Sequence, residues 1–102
     1  MEQDTHITDV VFRVWTRKDF KGTLMAFFPH EVNDFDGNVV CYDNTGHSGA
    51  DYQHCIRQSR MATQSEYKDL KMQMESIGYN LNVVTRQDYD KYLKSYREIR
   101  TK

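Results

Sequence analysis

The chain has few residues that break or staple a fold. Its 102 residues include one proline, Pro29, and five glycines, too few for long irregular segments. Two cysteines, Cys41 and Cys55, fall short of the roughly four or more expected in a small secreted domain. Both read as small buried hydrophobes of a reducing compartment. Long apolar runs are also missing. The longest, Leu24 to Pro29, is far below the roughly 20 residues of a membrane span. Met1-Glu2-Gln3-Asp4 is acidic and leads into no apolar stretch, so no signal peptide and no membrane partner are expected. Charge of one sign is lacking too. Fourteen Lys and Arg face 15 Asp and Glu, for a net −1. That excludes a strongly basic nucleic-acid wrapper and leaves room for a local basic patch.

What the chain does have is aromatic: 13% of residues, seven of them Tyr. With 38% hydrophobic and 28% charged residues, the composition is that of one small globular domain over residues 1–102. A chain of this length buries roughly 65% of its unfolded surface. Residues 1–8 are expected to be a flexible N-terminus.

Val10 to Trp15 alternates as a strand, with Val10, Phe12 and Val14 on one face and Val11, Arg13 and Trp15 on the other. Thr16 to Gly22 is a polar connection. Thr23 to Phe28 is a second strand, apolar on both faces and stopped by Pro29. Asp34 to Gly37 is turn chemistry, Asn38 to Tyr42 a third strand, and Asp43 to Gly49 a loop. Tyr52 to Gln58 fits a fourth strand or a short helix, with the strand preferred. Thr63-Gln64-Ser65-Glu66 is a capping box. Tyr67, Leu70, Met74 and Ile77 then recur at helical spacing, and Gly78 stands where a left-handed cap belongs. Tyr79, Leu81 and Val83 alternate as a strand. Residues 87–102 return to helix, with Tyr89, Leu93 and Tyr96 on one face. The expected fold is α+β: a four- or five-stranded, mainly antiparallel sheet with one capped helix packed on it and a C-terminal helix. The face carrying Trp15 needs a cover, either the last helix or a second subunit. Tyr89, Tyr92 and Tyr96 are of the type enriched at interfaces, so self-association into a homo-oligomer is expected.

The stretch from Thr63 to Tyr79 resembles the C-terminal half of a small family of proteins from phages, prophages and mobile elements, many of gut bacteria. Those proteins open this helix with Thr-Pro-Glu-Glu-Tyr and close it with Glu-Ser-Ile-Gly-Tyr. Here Gln64 and Ser65 stand in place of the Pro-Glu, and Glu75-Ser76-Ile77-Gly78-Tyr79 matches. Val11-Phe12-Arg13, Ala26-Phe27-Phe28-Pro29 and Tyr42 also fit. So does a Gly-His-rich loop that reads Gly-Gln-His-Gly in the family and Gly46-His47-Ser48-Gly49 here. The resemblance covers most of residues 10 to 86. It implies a phage-type setting in the cytoplasm of a bacterial host and no particular activity.

The richest polar stretch runs from Asp43 to Arg60. Gly46, His47, Ser48 and Gly49 read as a loop whose backbone amides can converge on an anion. Arg57 and Arg60 are suited to clamp a phosphate, and Tyr52 to stack on a base. Together these seven residues are the candidate ligand site, for a small anionic nucleotide. His47, Asp51 and His54, with Cys41 or Cys55 nearby, match no zinc spacing. Ser48 and Cys55 lie in no nucleophile signature. No metal, cofactor or catalytic residue is therefore expected. The leading expectation is a non-enzymatic, phage-type counter-defence protein that binds and sequesters a small (cyclic) nucleotide signal. Two alternatives stand beside it. One is a protein-binding inhibitor of a host defence effector, such as a CRISPR nuclease, working through an acidic and aromatic surface. The other is a small nucleotide hydrolase using His47 or His54.

Overall fold

A computed structural model describes residues 6–43 and 46–101. At its centre lie β1 (Thr8–Trp15) and β2 (Leu24–Val32), antiparallel, with Val11 opposite Phe27 and Phe12 opposite Ala26. Both strands carry apolar side chains on both faces, so each face needs its own packing layer. The sheet continues outward from β2 through β3 (Val39–Asp43) to β4 (Gly46–Ala50), both antiparallel. The other edge of β1 takes two three-residue strands. β5 (Ser59–Met61) pairs antiparallel with its C-terminal half and β6 (Leu81–Val83) parallel with its N-terminal half. The fold is α+β, with six strands where the sequence pattern counts four or five.

One face packs against α2 (Gln64–Ser76). Val10, Phe12, Val14, Ala26 and Phe28 meet Leu70 and Met74 there. The Tyr67 ring stacks flat on Phe12, centroids 4.5 Å apart at 9°. Burying a side chain such as Phe12, Phe28 or Met74 contributes about 1.5–3 kcal/mol each. The capping box forms as the sequence implies: Glu66 N–H donates to Thr63 Oγ1 and Thr63 N–H to Glu66 Oε1. The helix ends in a Schellman pair, Tyr79 N–H to the Met74 carbonyl and Gly78 N–H to that of Glu75. Gly78, at φ 112°, takes the left-handed position. The chain turns one residue earlier than the apolar stripe requires, so Ile77 caps the helix and stays 57% exposed. Tyr79 takes its place by packing on Phe28 at 5.3 Å.

The other face carries Val11, Phe27, Val39 and Cys41, covered by Tyr52 and Cys55 of α1 (Tyr52–Arg57). The strand preferred for Tyr52–Gln58 is therefore a helix. Tyr52, Cys55 and Ile56 share one helical face, and the Asp51 carboxylate caps it by accepting from His54 N–H. Arg13 rises from the same face, and its guanidinium donates to the Ile56 and Ser59 carbonyls at 3.2 and 2.7 Å. A cation on the last carbonyls of a helix is favoured by the helix dipole.

Pro29 does not stop β2. The pairing with β3 slips between Phe27 and Val32, and the strand runs on to Val32. Proline has no N–H for the ladder, and a local irregularity accommodates it. The freed Pro29 carbonyl accepts from Gln87 Nε2 at 2.8 Å. His30 follows, with Nδ1 at 2.9 Å from the Asp9 carboxylate and Nε2 accepting from Asp88 N–H at 2.7 Å. Asp88 is the N-cap of α3 (Tyr89–Arg100), so this imidazole ties the last helix to the sheet. Ser95, Tyr92 and Tyr96 bond Val32, Gly37 and Phe35 in turn. The last helix thus packs on its own chain. Gly37 has φ 87°, and a Cβ there would strike the Tyr92 hydroxyl. The flexible stretch expected at residues 1–8 ends sooner, since Thr8 is buried in β1, and residues 1–5 lie outside the described residues.

Thr63→Ala removes the hydroxyl that accepts from Glu66 N–H. The expected outcome is a loss of about 1 kcal/mol, read as a lower urea midpoint at unchanged m-value.

Candidate functional site

The seven residues expected to form one cradle occupy separate places. Gly46–Gly49 are not a loop but most of β4, whose backbone is laddered to β3. An unpaired edge of β3 next in the chain outweighs the loop-like composition. Arg60 lies in β5, at the opposite edge, with β3, β2 and β1 between. Four strand spacings amount to roughly 19 Å. Arg60 is also engaged, since both its terminal nitrogens hold the Glu66 carboxylate, at 2.8 and 2.6 Å. Tyr52 is 6% exposed and set edge-on to Phe27, so it has no open face for a base. Arg57 is exposed at the end of α1. Asn44 and Thr45, part of the same polar stretch, lie outside the described residues.

Within β4, alternation sends neighbours to opposite faces. Ser48 Oγ lies 3.0 Å from Cys41 Sγ on the α1 side. His47 goes to the α2 side, where its ring meets Tyr42 at 4.9 Å and Nε2 bonds the Tyr79 hydroxyl. Gly49 is required by packing, because the Asn33 side chain occupies the place of its Cβ. His47 and Tyr79, with His6 and Glu31, line an open hollow of about 380 Å³. Burial raises the Glu31 carboxyl above its ordinary range, against the pull of His6 and His47.

The remaining reactive groups are already committed. His30 uses both ring nitrogens in tying α3 down. His54 Nε2 bonds Gln58 at 2.9 Å. Burial raises both thiols: Cys41 against the hydrogen bond from Ser48, and Cys55 to about 11, with Cys41 and Asp51 adding to it. Among the described residues no group of His, Cys, Asp and Glu is arranged to hold a metal. No helix there is long and apolar enough to cross a membrane.

The three tyrosines that the sequence marks as interface residues lie where α3 meets the turn Asp34–Gly37, and the structure adds Phe35 to them. Tyr89, Tyr92 and Tyr96 form a ladder with centroids 6.0 and 6.1 Å apart. The Tyr92 and Tyr96 hydroxyls donate to the Gly37 and Phe35 carbonyls at 2.8 and 2.7 Å, which fixes both rings. Phe35 and Tyr89 are 66% and 64% exposed. The rim is acidic. Asp34 and Asp51 lie close enough to push the Tyr92 hydroxyl up, after burial and the two flanking tyrosines. Asp36 and Asp90 are exposed and make no ion pair among the described residues. Arg97 and Arg100 close the far end, with Arg100 5.7 Å over the Tyr96 ring. The sequence signal for this patch is a bare Phe35 between two aspartates, in a turn that has no core to fill.

No family model, curated protein or solved structure matches this chain.

Two measurements check the assigned roles. Native protein at pH 8 should resist alkylation, and unfolding should release two labels by intact mass; a mass two hydrogens short would mean a disulfide. The second concerns Glu66, held at about 2 by Arg60 and the Thr63 N–H. Its folded value is depressed, so its contribution to stability is present above its ordinary 4.5 and is lost as pH falls toward 2. Glu66→Gln should flatten that part of the acid limb in a series of urea midpoints against pH.

Proposed function

We propose that this chain is a non-enzymatic, phage-type protein that acts by binding another protein, as an inhibitor of a host defence effector. The observation that carries the reading is an aromatic patch in which exposed Phe35 and Tyr89 flank half-buried Tyr92 and Tyr96, with an acidic rim. Tyr92 and Tyr96, fixed by their hydroxyls, give the patch a rigid floor on which Tyr89 stacks, and aromatic rings are usual anchors of protein interfaces. The aspartates around Phe35 and Tyr89 suit a basic partner surface, such as the nucleic-acid groove of an effector nuclease. Tyrosine faces also receive arginine by cation–π contact, which Arg100 already makes with Tyr96 inside this chain. The phage setting comes from the family resemblance of the Thr63–Tyr79 helix. The nucleotide-sponge reading loses its support from the Gly46–Arg60 stretch, whose members stand at opposite sheet edges. The hydrolase reading gains none, because His47 and His54 each have Nε2 in a bond to a neighbouring side chain.

The test is a phage-plating assay in a bacterial host with an active defence, paired with pull-down of the effector. Wild type should restore plating and retain the effector. Phe35→Ala and Tyr89→Ala should each weaken retention about tenfold or more, with the thermal midpoint unchanged. Full plating by the double variant would sink the assignment of this face.

A further inference from the structure

We propose that an open hollow at the C-terminal end of β1 is a binding site for a ligand bearing a nucleobase and a phosphate. Trp15, the only tryptophan of the chain, is the last residue of β1. Its ring is seated against Phe27 in the core, edge-on at 6.5 Å and 76°, so its position is set from below. Phe20 comes from the turn that follows and is tilted 52° to it, centroids 6.4 Å apart. At this separation the two rings touch each other and form a tilted, wedge-shaped wall of the hollow, against whose open side a flat ring can lie. The turn is not loose. Phe20 N–H bonds the Arg17 carbonyl, Thr23 N–H that of Phe20, and Gly22 N–H that of Trp15, at 2.9–3.0 Å. Phe20 nevertheless stays 54% exposed. A preorganised aromatic left open to solvent is what base stacking uses.

The polar groups around the wedge are complementary to such a ligand. Arg17 Nη1 donates to Gln58 Oε1 at 3.2 Å, and Nη2 lies 3.9 Å from the exposed Asp19 carboxylate, a looser pair than the one that holds Arg60, so the guanidinium stands at the rim. That bond turns Gln58 Nε2 toward His54, whose Nε2 accepts at 2.9 Å and whose proton is therefore on Nδ1. Arg17 and His54 are thus donors suited to a phosphate. Met25 adds an apolar, adaptable wall. The cavity, about 330 Å³, is at the small end of ligand sites and suits one mononucleotide. The seven residues marked out from the sequence contribute nothing to this lining, and it is independent of the protein-binding role of α3.

The single Trp15 indole N–H gives a direct readout by NMR of isotope-labelled protein. Titration with the four common ribonucleoside monophosphates, and with their cyclic forms, should shift that signal saturably for at least one nucleotide. Adenosine and ribose 5-phosphate are the controls: the nucleoside should bind more weakly than its nucleotide, and the sugar phosphate should not bind. Phe20→Ala should weaken binding about tenfold or more. Phe20→Leu, which keeps apolar bulk without a π-face, should weaken it nearly as much. Arg17→Ala should narrow the difference in affinity between nucleotide and nucleoside about tenfold. Thermal midpoints of all variants should stay at the wild-type value, since these side chains lie outside the core. No saturable shift with any nucleotide at millimolar concentration overturns the proposal. So does ribose 5-phosphate binding as tightly as a nucleotide, or binding that Phe20→Ala leaves unchanged.

Discussion

A strand that is apolar on both faces cannot rest on a single layer, and the rest of this structure follows from β1 and β2 being such strands. Val10, Phe12 and Val14 require cover on one side, and Val11 and Phe27 on the other. The capped helix α2 supplies the first. The short helix α1, with Tyr92 of α3 and Val84 beside it, supplies the second. Arg13 is the polar exception on that inner face, and it is admitted because the last carbonyls of α1 and Ser59 take its donors.

The slip at Pro29 has consequences beyond β2. It leaves a carbonyl for Gln87 and places His30 between Asp9 and the N-cap of α3. Lys91 of the same helix also reaches Asp9, at 3.4 Å. One irregular stretch of strand is thus what the last helix is tied to. Once tied, α3 leaves no residue of its own buried. Tyr92 helps cover the α1-side core, while Tyr89 stays exposed and available for a partner.

Both candidate surfaces lie where the two packing layers run out, at opposite ends of β1. At one end the aromatic rings of α3 are anchored through their hydroxyls and present their faces. At the other, Trp15 is anchored through its edge on Phe27 and presents its wedge with Phe20. In each case a ring is rigid because one part of it is engaged in cis, and open because nothing in the chain covers the rest.

The features legible in the sequence are those whose physics is local. The capping box, the left-handed Gly78, the alternation of β1 and the stripe Tyr67, Leu70, Met74 each depend on neighbours within a few residues, and each forms as its pattern implies. The α+β architecture follows from them, because alternating strands and an amphipathic helix have few ways to bury their faces. What the sequence left open depends on partners far along the chain. Tyr52–Arg57 is a helix because the α1-side face of the sheet needed covering, and Gly46–Ala50 a strand because β3 had an edge to pair. Arg60 is bound to Glu66 only because β5 runs beside the start of α2, on the far side of the sheet from Gly46–Gly49. Proximity in sequence between Asp43 and Arg60 implied one site. The strand order, a property of the whole sheet and of no segment in it, sets Gly46–Gly49 and Arg60 at opposite edges.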